Sequence, residues 1–336
     1  MGSKHLWAVV LAAGEGTRLQ ELTSQADGPP VPKQFCTLYG GPTLLGEAVA
    51  RASSVVDPTR VCAIVADQHA AWWQSQLQML APENIIVQPE NRGTAIGILY
   101  SVQHILARDP DAHIILLPAD HYVGDESVLQ EALNKAARCL ALEEACPVLL
   151  GFQAEWADTE LGYIVPGEAG AGGSSKIDRF VEKPSRWAAN DLVRRGGLWN
   201  TFIMAISGRK LLETFFAERF SAIVARMQLL TTVQATNGRA SPAVSRGLAR
   251  MYSDLPTVDF SRDILAGRES QLRALEVPAC GWSDLGTPER VVATLERLEI
   301  DVSRPDFLHP RRHGSAVNLA SQVARRHGQT RGNRVG

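Results

Sequence analysis

Residues 6–19 read LWAVVLAAGEGTRL, and this stretch decides the fold class. Its apolar run, Leu6 to Ala13, has no alternating polar positions, the pattern of a buried strand. Gly14 and Gly16 follow at once, so the strand ends in a tight turn without side chains, where backbone amides can approach a phosphate closely. The turn carries neither the third glycine of a dinucleotide fingerprint nor the Gly-Lys-Ser/Thr of a P-loop. On its own it fits an ordinary strand-to-helix connection equally well.

Working outward, short β-branched runs recur at 60–66, 85–88, 113–118 and 147–152, separated by helical spacing at 43–55, 70–80, 94–107 and 128–142. This alternation predicts an α/β fold: a doubly wound, mostly parallel sheet with ligands at the carboxyl ends of the strands. From residue 160 the rhythm changes to hairpin-like strands at 162–166, 177–182 and 199–207, an antiparallel extension. A last helix is expected near 288–298. Residues 303–336 are rich in Arg, His, Gly and Ser, including Arg311, Arg312, Arg325 and Arg326, and read as a disordered or loosely docked tail. The expected organisation is one domain over 1–302, with halves of about 1–155 and 156–302, followed by the tail.

With 34 Lys and Arg against 36 Asp and Glu, the chain has a net charge of -2 and no global basic field, so neither nucleic acid nor a membrane surface is an expected partner. Phosphate recognition must be local. The five cysteines form no CxxC pair or zinc spacing and are expected to be reduced, structural thiols. The amino terminus has no apolar stretch long enough for a signal peptide core, which makes a cytoplasmic location the default. Self-association into a homo-oligomer is left open.

Candidate chemistry sits at strand ends. PVPKQF places Lys33 in a proline-stiffened loop, where with Arg18 it forms a cationic pair suited to a polyphosphate. HIILLPADH ends in Asp120, a carboxylate placed to serve a hard cation that also takes substrate phosphates. Asp284 in GWSDLGTP follows an expected edge strand and fits either a second metal ligand or an Asx turn. His121 reads better as a loop-stabilising residue than as a ligand.

In chain order, LAAGEGTRL, PKQF, QPENRGTA, LPADH, GYIVPG, VEKP, WNTF, VDFSRDIL and GWSDLGTP resemble the sugar-phosphate nucleotidyltransferases, above all the mannose-1-phosphate guanylyltransferase branch. The resemblance spans about residues 6–290. It implies a Rossmann-like nucleotidyltransferase fold and Mg2+-dependent transfer of a nucleotidyl group from a nucleoside triphosphate to a sugar 1-phosphate. Most directly, that would be GTP and mannose 1-phosphate giving GDP-mannose and pyrophosphate.

By the same resemblance Arg18, Lys33 and Asp120 are catalytic. Leu11, Ala12, Ala13, Gly14, Gly16, Thr17, Gln88, Gly93 and Thr94 bind the nucleotide. Gly162, Glu182, Lys183 and Asn200 bind the sugar phosphate, and Asp120 with Asp284 holds the metal. Two positions depart from the guanylyl pattern. Gln88 stands where an acidic residue precedes the proline, and Gly93 replaces asparagine; an amide both donates and accepts, which suits uracil or thymine as well as guanine. Thr201 and Phe202 stand where the sugar motif has serine and glycine. A UTP- or dTTP-dependent hexose-1-phosphate enzyme is therefore one alternative, and a catalytically silent nucleotide-sugar sensor another. An isoprenoid-type cytidylyltransferase shares the opening motifs but lacks the VEKP, WN and WSDLG stations.

Overall fold

The computed structural model of the chain describes residues 4–24, 29–142, 146–237, 242–300 and 316–332. Its described strands form one nine-stranded sheet: β1 Leu6–Leu11, β2 Val61–Ala66, β3 Ile85–Gln88, β4 His113–Pro118, β5 Val148–Gln153, β6 Tyr163–Ala169, β7 Ser174–Val181, β8 Leu198–Ser207 and β9 Arg273–Val277. The spatial order is β3-β2-β1-β4-β8-β5-β9-β7-β6. The strands expected at 85–88 and 113–118 have those bounds.

β1, β2, β3 and β4 pair in parallel, joined through helical crossovers. Two cores flank the sheet. One lies under the helices Leu44–Ser53, Glu126–Leu142 and Pro288–Arg297; the other lies under Thr94–Leu106 and Pro242–Ser253. Because both faces are covered, β2 is buried along its whole length, which explains its unbroken apolar run VCAIVA.

The antiparallel extension does not sit apart from this sheet. β8 inserts between β4 and β5, antiparallel to both, so the two halves of the sequence interleave. β9 is a correction to the edge strand expected before Asp284: it is interior, parallel to β5 and antiparallel to β7. Sequence spacing cannot reveal that placement, since the partners come from distant segments.

A second correction concerns the carboxyl-terminal stretch. Arg311 and Arg312 lie outside the described residues. From residue 316 the chain is ordered by contacts: Thr37 donates its amide to the Val317 carbonyl, and Leu319 and Ala320 donate theirs to the carbonyls of Thr37 and Leu38. The helix Leu319–Gly332 follows, with Leu319, Ala320, Val323 and Ala324 buried. This stripe at helical spacing is short and set among polar residues, so composition concealed it. Arg326 pairs with Glu21 at 3.2 Å. Among the described residues, no helix is long and apolar enough to cross a membrane.

Candidate active site

The turn after β1 is held open by its neighbours. Gly16 has φ 61°, and a Cβ there would lie 2.9 Å from the Lys33 backbone nitrogen, so glycine answers both a conformational and a steric demand. Gln34, the glutamine of PKQF, donates from Nε2 to the carbonyls of Ala12 at 3.0 Å and Gly14 at 2.8 Å. These bonds pin the turn to the lysine loop. The motif was visible in the sequence, but this role for Gln34 was not.

Lys33 is buried, with its Nζ 3.0 Å from Asp120 Oδ2, and it donates to the Asp284 and Leu285 carbonyls. Leu285 adopts φ 46°, rare for a branched side chain. Asp120 keeps 39% of its side chain exposed, toward the cleft. Burial alone would raise its pKa, but the Lys33 ammonium, His121 and its hydrogen bonds outweigh that and hold the carboxyl below its ordinary value. A carboxylate is the result.

His121 accepts a hydrogen bond on Nδ1 from Trp282 Nε1 at 3.3 Å, which assigns its proton to Nε2, 3.7 Å from Asp120 Oδ1. Burial pushes its pKa down to about 4, against the pull of Asp120. A neutral ring with both nitrogens occupied supports its loop and offers no lone pair to a metal.

Asp284, the other carboxylate expected at the metal, lies beside Arg290. Its Oδ1 accepts from Arg290 at 2.6 Å and from the Gly286 amide at 3.0 Å, while Arg290 also binds Asp158 at 2.7 Å. Burial raises the Asp284 pKa, and Arg290 with Lys33 more than reverses it. Oδ1 of the carboxylate is thus taken by Arg290 and the Gly286 amide, and the backbone carbonyl of Asp284 accepts from Lys33 Nζ. Reciprocal bonds between Tyr122 and Ser283 join the loop after β4 to this segment. Arg290 and Asp158 were missed from sequence because they lie outside the quoted motifs.

Two adjoining cavities mark the cleft. One of 220 Å³ is lined by Gly16, Thr17, Arg18, Lys33, Asp120 and Gly286. The other, of 420 Å³, takes in Leu11, Ala13, Gly14, Gln88, Gly93 and Thr94, with Asp120, Phe202 and Asp259 opposite. Ala12 is buried beneath. Gln88 is 1% exposed, and its Oε1 has no hydrogen-bond partner among the described residues. Gly93 has φ 84°, and a Cβ there would meet the Val258 carbonyl oxygen at 2.2 Å. The Thr94 hydroxyl oxygen accepts from the Phe260 amide at 3.1 Å. A larger cavity of 660 Å³ lies outside β3, lined by Trp73, Ile85, Val87 and Leu248 and without the phosphate-side cations.

The four residues expected at the sugar phosphate gather elsewhere. Asn200 donates its amide to the Gly162 carbonyl at 2.8 Å, and Glu182 Oε2 lies 2.6 Å from where a Gly162 Cβ would project. Lys183, at φ 43°, is exposed, 4.0 Å from Glu160. None of the four lines the two cavities of the cleft.

A strand-end glycine turn, a buried lysine on a part-exposed carboxylate and an arginine on the cavity wall bring together groups chemically suited to a polyphosphate. A model of the nucleotidyl transferase family matches residues 7–299. The chain belongs to the nucleotidyl transferase family. It is 30% identical over 290 residues to the alginate biosynthesis protein AlgA of Pseudomonas aeruginosa, a match that covers 83% of this chain and 56% of that one. Against mannose-1-phosphate guanylyltransferase 2 of Escherichia coli O157:H7 the identity is 32% over 225 residues, covering 63% and 45%. The solved structure of a mannose-1-phosphate geranyltransferase from Thermus thermophilus superposes with a TM-score of 0.68 at 27% identity, covering 86% of this chain and 79% of that one. The chain spans a little over half the length of AlgA.

For a family that handles phosphates, a Mg2+ ion is a natural guest, and Asp120 fits it: a half-exposed, ionised carboxylate bordering both cavities. Asp284, held by Arg290, does not present itself in the same way. Among the described residues no cluster of three or more His, Cys, Asp or Glu could hold an ion by themselves. Magnesium commonly completes its shell with substrate phosphates and water.

Proposed function

We propose that this nucleotidyl transferase joins a nucleoside triphosphate to a sugar 1-phosphate and releases pyrophosphate, with GTP and mannose 1-phosphate the first pair to test. The observation that carries the reading is the Lys33–Asp120 pair bordering the same cavity as Arg18 and the Gly16 turn. The name borne by the Escherichia coli relative points toward mannose 1-phosphate.

In this reaction a sugar-phosphate oxygen attacks the α-phosphorus and forms the new P–O bond. The bond from the α-phosphorus to its bridging oxygen breaks, and pyrophosphate carries away the electron pair. A phosphate with a second pKa of about 6 is largely dianionic at neutral pH, so no general base is required. The residues then have positioning and charge to supply. The turn amides and Arg18 bind the triphosphate, Lys33 neutralises charge while holding Asp120, and Asp120 would hold Mg2+. When bound, the ion would act as a Lewis acid and template on phosphate oxygens. Gly162, Glu182, Lys183 and Asn200 are assigned to the sugar phosphate.

Gln88 favours a second reading of the base. Its unpartnered amide oxygen in the 420 Å³ cavity accepts from guanine, and its NH2 donates to a pyrimidine carbonyl, so UTP and dTTP belong in the same assay. The test is pyrophosphate release with Mg2+ across GTP, UTP, dTTP, CTP and ATP against mannose and glucose 1-phosphates. One productive pair, abolished by Asp120→Ala in a folded variant, supports the transferase. Nucleotide binding without turnover in any pair would favour the sensor.

A further inference from the structure

β8 is irregular where it crosses β5. Leu149 pairs with Met204 but Gly151 pairs with Asn200, so β8 carries two surplus residues in a bulge through Thr201, Phe202 and Ile203. The bulge is fastened on both sides: the Thr201 hydroxyl donates to the Leu150 carbonyl at 3.0 Å, and Asn200 Oδ1 accepts from the Phe202 amide at 3.3 Å. Phe202 itself has φ 64°. A bulky L-residue in this region meets a steric cost that glycine avoids, and such a bulge serves to re-aim a side chain. Among the described residues, the other non-glycine positions with positive φ are Lys183, Leu285 and Glu299. Strain of this kind, kept at a cleft, points to a use for the side chain.

The ring shows what that use is. It lines the 420 Å³ cavity with Asp120 and Asp259, and it is backed edge-on by Phe260 at a centroid distance of 5.6 Å. A ring supported from behind and open in front is a wall. Its place along the sheet separates it from the base: the order β3-β2-β1-β4-β8 puts Gln88 at one end, the glycine turn and Asp120 in the middle, and Phe202 beyond Asp120. With the triphosphate over the glycine turn and the base toward Gln88, the ring faces the acceptor.

We propose that Phe202 is a specificity-determining residue, an aromatic wall against which the C–H face of the acceptor's hexose ring stacks; this rests on the transferase reading above. A pyranose presents such a face, and an aromatic ring contacts it without hydrogen-bond selectivity. The ring thereby reads the shape of the sugar on one side of the cleft.

The test separates ring from backbone. Phe202→Leu keeps an apolar side chain but no ring, Phe202→Gly removes both ring and steric cost, and Phe202→Tyr keeps the ring. With mannose 1-phosphate or glucose 1-phosphate, whichever the wild type uses, Leu and Gly variants are expected to raise KM for the sugar about ten-fold, the loss of one aromatic contact. The KM for nucleotide should stay within about two-fold, and the Tyr variant should behave as wild type. An unchanged sugar KM in both variants, or a rise in nucleotide KM instead, would overturn the proposal. A second readout needs no turnover: saturation of aromatic protons in the wild type should transfer to the ring protons of mannose 1-phosphate, and fail to do so in Phe202→Leu. If the wild type turns over no substrate pair yet shows this transfer, the transferase reading falls and the wall stands. If turnover occurs without the transfer, the wall falls and the transferase stands.

Discussion

Lys33 Nζ lies 3.0 Å from Asp120 Oδ2, and the same ammonium donates to the backbone carbonyl of Asp284. One buried cation thus ties the loop after β1, the end of β4 and the segment after β9 together. Replacing it by the similarly shaped Lys33→Met is expected to lower kcat by about 10²–10³, the usual effect of removing one preorganised charge stabiliser. Asp120, freed of its cation, should titrate at higher pH, moving the acidic limb of the kcat profile upward. Steady-state rates across pH check both; a kcat within two-fold of wild type, by about 0.4 kcal/mol in barrier, would remove Lys33 from the mechanism.

Arg290 spans Asp158 and Asp284, all three side chains being 12–14% exposed. Arg290→Met leaves two mostly buried carboxylates without their partner, which costs about 3–5 kcal/mol. Urea denaturation should show it, together with lower activity as the Asp284 carbonyl loses its place on Lys33.

Two glycines should part company. A Cβ on Gly14 meets nothing within 4 Å, whereas on Gly93 it meets the Val258 carbonyl. Gly14→Ala is therefore expected to keep the wild-type melting temperature and raise the nucleotide KM, because only a ligand approaches that face. Gly93→Ala should lower the melting temperature itself. Equal thermal shifts would contradict the close approach of Gly93 to residue 258.

His69 is buried between Phe35 and Trp72, and burial lowers its pKa despite Glu15 nearby. Its stability contribution is complete above the unfolded value of about 6.5 and is lost as pH falls through that value, because the unfolded chain takes up a proton the folded ring refuses. The urea midpoint should fall between about pH 7 and pH 5, and His69→Phe should flatten part of that slope. An identical slope in the variant would sink the assignment.

Leu319 is fully buried where the terminal helix meets the Thr37 backbone. Leu319→Ala is expected to cost about 2–5 kcal/mol. Thermal melting checks the stability, and a raised nucleotide KM would show that this helix also steadies the loop carrying Lys33 and Gln34.

What the sequence by itself determined is local and repetitive. A short, β-branched unbroken run such as VCAIVA reads as a buried strand, and strand–helix alternation across the first 142 residues leaves few topologies besides a parallel sheet. The glycine turn, Lys33 and Asp120 were legible because each stands at a strand end or in a stiffened loop. Only the tertiary structure decided the partnerships. β8 enters between β4 and β5, Arg290 pairs with the Asp284 carboxylate, Gln34 turns back to the glycine loop, and the bulge in β8 aims Phe202 at the cleft. Each joins residues far apart in the chain, where hydrogen-bond register and competition for a buried charge, rather than spacing or propensity, select the contact.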